Sequence, residues 1–119
     1  MSKAKTISMY IMGILYILAG VNHFMMPEVY IKIMPPYLGW HKELVFVSGL
    51  IEITLGALLF LPKYRNIAAW GIILLLVAVF PANIYLAQTN GEVLGISAAA
   101  AWGRLPIQAL LILWAWWYT

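Results

Sequence analysis

The feature that most constrains this chain is an uninterrupted uncharged stretch from Asn66 to Gly91. A helix needs about 20 mostly apolar residues to cross a hydrocarbon core of about 30 Å. A second stretch without Asp, Glu, Lys or Arg runs from Thr6 to Pro27. Over the 119 residues, 65% are hydrophobic and 9% charged, and the mean hydropathy is +0.92. A soluble domain is about a quarter charged. So few polar side chains cannot cover this much apolar surface, which makes lipid the expected solvent.

Four spans are predicted, at about 7–24, 44–61, 66–87 and 97–117, in a single membrane domain covering 1–119. The expected fold is all-α, a transmembrane four-helix bundle. The first span follows Lys3 and Lys5, as a signal peptide would. Its apolar run is too long for one, and Asn22-His23-Phe24-Met25-Met26-Pro27 offers no small-residue cleavage site, so it is expected to be retained. Lys3, Lys5, Lys63 and Arg65 fall on one side. Lys32 and Lys42 fall on the other, offset by Glu28 and Glu43 and joined by Glu92. This bias predicts an inner (plasma) membrane protein with both termini cytoplasmic.

The connection from Met25 to Glu43 is long. Pro27 suits a first helical position, Glu28 follows at the positive end of the helix dipole, and Pro35-Pro36 stops the helix. A short interfacial helix is therefore expected between the first two spans. A lid over the outer mouth of the bundle is the sharper alternative. Trp102, Trp114, Trp116, Trp117 and Tyr118 read as interfacial anchors, and an aromatic belt accounts for them.

Several classes of function are excluded. The absence of cysteine removes thiol–disulfide chemistry, iron–sulfur ligation and thiolate zinc sites from this chain. No basic run of nucleic-acid type occurs, so nucleic acid is not an expected partner. There is no nucleophile–base arrangement, phosphate loop or metal-ligand spacing, so no metal is expected and no catalytic residue can be assigned. One intramembrane carboxylate is too few for a di-iron site. His23 and His41 are the only histidines. His41 is expected in a connection rather than on a helix, so haem is not expected.

Polar residues inside lipid must find partners. Glu52 lies about 12 Å beyond Leu44 at 1.5 Å per residue, near mid-membrane. Alone and ionised there it costs about 3 kcal/mol. It must be protonated, paired or in contact with water. Gly49, Glu52 and Gly56 share one helix face, and Gly13, Tyr16, Gly20 and His23 share another. Small residues on such faces let helices approach closely. Arg104 is the expected partner of Glu52. Pro81 frees the Val77 carbonyl and Pro106 that of Trp102. Asn22, His23, Glu52, Asn83, Arg104 and Gln108 all fall in the outer half, which predicts an outward-facing polar pocket. Its ligand-binding candidates are His23, Glu52, Asn83, Arg104 and Gln108. The structural alternative is a Glu52–Arg104 pair that fixes helix register, satisfied by Asn83 and Gln108.

Asn22-His23-Phe24, Pro27, Ser48-Gly49, Glu52 and Gly56 together resemble the DoxX-like family of small membrane proteins. Pro81-Ala82-Asn83-Ile84 and Arg104-Leu105-Pro106-Ile107-Gln108, before an aromatic tail, extend the resemblance over nearly the whole chain. It implies a four-helix membrane bundle associated with thiosulfate:quinone oxidoreductase, or with quinone and thiol stress. The lack of cysteine departs from any thiol relay. A quinone is the cofactor this implies, held in the polar pocket with His23 and Arg104 as donors and Glu52 exchanging a proton. No electron carrier is encoded, so the chain would be an accessory subunit to a redox partner protein, or a homo-oligomer. The alternative is a non-enzymatic scaffold or assembly factor. Solute transport is weaker, because the inner half is wholly apolar and one short chain would need a second copy.

Overall fold

The computed structural model describes all 119 residues. The chain is all-α and 79% helical. Its helices are α1 (Lys3–Met25), α2 (Pro27–Lys32), α3 (His41–Leu59), α4 (Arg65–Gln88) and α5 (Ala98–Trp116), with a 3-10 turn at Glu92–Leu94. Three helices, α1, α4 and α5, are long and apolar enough to cross a membrane. The second predicted span, 44–61, is placed differently: α3 starts three residues earlier, at His41, and its 19 residues include Lys42, Glu43 and Glu52. Those three charges set it apart from α1, α4 and α5, which carry one or two each.

Local chemistry sets the helix ends. The Ser2 hydroxyl accepts from the Lys5 amide and that of Ser97 from the Ala100 amide, each at 3.1 Å. These are N-cap bonds that satisfy otherwise orphaned donors. Pro27 opens α2 with Glu28 in its first turn, as expected. Arg65 Nε donates to the Leu59 carbonyl at 2.8 Å and so caps the end of α3. His41, expected in a connection, is instead the first residue of α3. Its Nε2 donates to the Pro35 carbonyl at 3.1 Å, which anchors the connection to the helix start.

The long helices pack antiparallel in chain order, α1 on α3, α3 on α4 and α4 on α5. The α1–α3 seam is the closest. Gly13 faces Gly56 and Gly20 faces Gly49, so backbone meets backbone at both levels. The main core, with Met9, Met12, Leu59, Ala68, Ala69 and Ile72, lies at the end of the bundle that holds the chain termini. There Trp114 Nε1 donates to Ser8 Oγ at 2.8 Å, and the Tyr118 hydroxyl donates to the Lys5 carbonyl at 3.3 Å. Trp114 and Tyr118 therefore do not act only as belt residues: they fasten α5 to α1, and Tyr118 is buried. Trp102, Trp116 and Trp117 stay exposed, as interfacial anchors would.

Candidate functional site

The two glycine faces predicted from spacing bring His23 and Glu52 together. Gly49 lies under His23, where an added Cβ would come within 2.7 Å of His23 Cβ. His23 Nδ1 is 2.7 Å from the Ala19 carbonyl oxygen. A carbonyl only accepts, so Nδ1 carries the proton and donates it there. Glu52 Oε2 lies 3.3 Å from the same nitrogen, yet it is buried without a hydrogen-bond partner. The His23 proton is already committed, and Glu52 is left with an open acceptor.

The expected Glu52–Arg104 pair is not formed. The one ion-pair contact in the molecule is His23–Glu52. The reason is helix adjacency: α3 packs on α1 and α4, while α5 packs on α4. Arg104 turns to α4 instead, and its Nε donates to Asn83 Oδ1 at 3.0 Å. Asn83 Nδ2 donates in turn to Gln108 Oε1, and Gln108 Nε2 donates to the Leu76 carbonyl. Gln108 thus serves the backbone next to Val77, whose carbonyl was expected to be freed by Pro81. Arg104 has no carboxylate partner.

His23, Glu52, Asn83, Arg104 and Gln108, all five predicted ligand-binding candidates, line one cavity of about 530 Å³. Its remaining wall is largely apolar, with Leu15, Ala19, Leu76, Val79, Ile107 and Leu111. Asn22 stands beside it rather than in it, and its Nδ2 donates to the Tyr30 hydroxyl at 2.7 Å. A second cavity of about 310 Å³ shares His23, Glu52, Asn83 and Arg104 and is otherwise walled by the connection and by α3 and α4. The polar cluster is the partition between the two.

Tyr30 was not foreseen. Its ring stacks on His23 with centroids 3.8 Å apart and an interplanar angle of 16°. Sequence spacing gives no signal for this contact, because the chain reverses at Met26–Pro27 and only the fold returns Tyr30 to His23. The connection does more than lie at an interface: α2 sets an aromatic cover on the cluster. Tyr16 was noted on the glycine face of α1, and it too lines the cavity. Trp114 closes the cavity toward the termini.

Chemically, the site offers one free carboxylate oxygen and the unengaged N–H groups of an arginine, set in an apolar cleft. That suits a flat polar head group with both an acceptor and a donor oxygen. No group of three or more His, Cys, Asp or Glu side chains is placed to hold a metal ion. No curated protein and no solved structure matches the chain. A family model does match, over residues 12–119, and by that match the chain belongs to the family described as Domain of unknown function (DUF8561).

Proposed function

We propose that the protein is a membrane-embedded accessory of a quinone-linked redox system, with a quinone head group held among His23, Glu52, Arg104 and Tyr30. The observation that carries this reading is the convergence of the five polar residues on one cavity with apolar walls. The residues present fit such a head group. Arg104 retains donors beyond its Nε, which Asn83 occupies. Glu52 Oε2 is an acceptor without a donor. When bound, a quinone supplies coupled electron and proton transfer. Arg104 would orient a ring oxygen, Glu52 would accept or return a proton at Oε2, and Tyr30 would exclude water. The resemblance to DoxX-like proteins supports the same reading.

The proposal includes four membrane spans, α3 being the fourth, in the inner membrane with both termini cytoplasmic and the polar cluster in the outer half. A reporter fused after Thr119 is then expected to be cytoplasmic, and an external reporter would overturn the orientation. A scaffold role is the second reading. It draws on the buried Gln108, which joins α4 to α5 without needing any ligand.

The experiment that separates the two begins with gentle purification in detergent, a visible spectrum and mass spectrometry of extracted small molecules. A stoichiometric quinone is expected, lost in Glu52→Gln or Arg104→Ala while the yield of folded protein is kept. An extract holding only structural lipid would shift the assignment to the scaffold.

A further inference from the structure

We infer that the cavity is loaded sideways from the bilayer, through a gap between α1 and α5, by an amphiphile whose apolar tail stays in that gap. The inference rests on the ligand-binding reading above and adds the route and the form of the ligand.

The gap follows from how α1 and α5 are joined. They are not among the closely packed helix pairs. Their hydrogen bonds occur only near the chain termini, Trp114 to Ser8 and Tyr118 to Lys5. Beyond Trp114 the helices are held apart, and the cavity takes up the space. Leu15 of α1 and Ile107 of α5 both line it, yet are 50% and 55% exposed. A residue that is at once wall and outer surface marks a mouth. This mouth is flanked by Leu15, Ala19, Ile107 and Leu111, so a hydrated solute has nothing to bond there, whereas a hydrocarbon tail is accommodated.

On the other side of the cluster the connection roofs the second cavity, with Leu38 and Leu44 on its wall 36% and 40% exposed. Tyr30 lies flat on His23, and the connection behind it is pinned where Pro35 and Ile33 are buried and where His41 holds the Pro35 carbonyl. Arg104 is exposed and lines the cavity where it turns to Asn83 of α4, whereas the Glu52 side chain is 13% exposed. A ligand entering between α1 and α5 finds both the guanidinium and the carboxylate on the cavity wall. With the polar groups inside and exposed Leu15 and Ile107 at the opening, an oxygen-bearing ring sits inward and its tail stays toward lipid. A tail lying there also covers side chains that the fold leaves open between the two helices.

The test uses the full chain in lipid nanodiscs and a decylubiquinone analogue with a diazirine at the end of its alkyl tail. After irradiation, adducts are mapped by mass spectrometry. Adducts are expected on α1 and α5, at and beside Leu15, Ile107 and Leu111. A tenfold excess of plain decylubiquinone should reduce them about tenfold, since ligands of equal affinity share a site by mass action. Competed adducts on Ile33, Met34 and Leu38 instead would overturn the lateral route and leave the binding site standing. Adducts that excess decylubiquinone does not reduce would overturn the quinone-site reading itself.

Discussion

Gly20→Val is expected to lower the stability of the protein by about 3 kcal/mol, toward the upper end of what overpacking costs. A Cβ at Gly20 would lie 2.5 Å from the Gly49 carbonyl oxygen and 2.9 Å from the Ile53 amide nitrogen. Both are backbone atoms of α3, so no side chain can swing away and the helices must separate. Separation also moves His23 off Gly49 and pulls the His23–Glu52 contact apart. The effect should appear as a fall in the thermal midpoint in detergent, together with loss of bound ligand. Gly103 provides the control. An added Cβ there meets nothing within 4 Å, so Gly103→Ala should raise stability by up to about 1 kcal/mol through helix propensity alone. A matched loss in both variants would mean that the close α1–α3 seam is not what makes Gly20 costly to replace.

The second large effect is expected at Gln108. It is 2% exposed and joins Asn83 to the Leu76 carbonyl. Gln108→Leu keeps the volume and removes both bonds, leaving the Asn83 amide without its acceptor inside the bundle. The expected loss is about 2 kcal/mol, set by stranding a part-buried donor in an apolar surrounding rather than by the net worth of one bond. Replacing both partners, Asn83→Leu with Gln108→Leu, should recover part of that loss, because no side-chain amide is then left unpaired between α4 and α5. The double variant also removes the acceptor of Arg104 Nε. It should therefore fold better than Gln108→Leu and still fail to retain a quinone. Recovery of both folding and binding would show that Asn83 does not position Arg104.

The polar cluster shows why some of this site is legible in the sequence and some is not. His23, Glu52, Asn83, Arg104 and Gln108 stand out because each is expensive in an apolar helix, and the fold does collect them around one cavity. Their pairing is different. The reach of Arg104 to Asn83 and of Glu52 toward His23 depends on which helices are neighbours, and periodicity carries no information about that. The same limit applies to the C-terminal aromatics, of which Trp114 and Tyr118 fasten α5 to α1 while Trp116 and Trp117 face outward.

What the sequence by itself determined is therefore local or additive. The long apolar helices, the start of α2 at Pro27 and the two glycine faces follow from dihedral preference, helical period and the cost of charge in lipid. The tertiary structure decided what depends on contact between distant segments. It laid Tyr30 on His23, gave Glu52 a neighbour other than Arg104, and fastened α5 to α1 only near the chain termini. The close approach of α1 and α3 at their glycines sets the His23–Glu52 contact, whereas the place of α5 follows from its packing on α4 and from Trp114 and Tyr118.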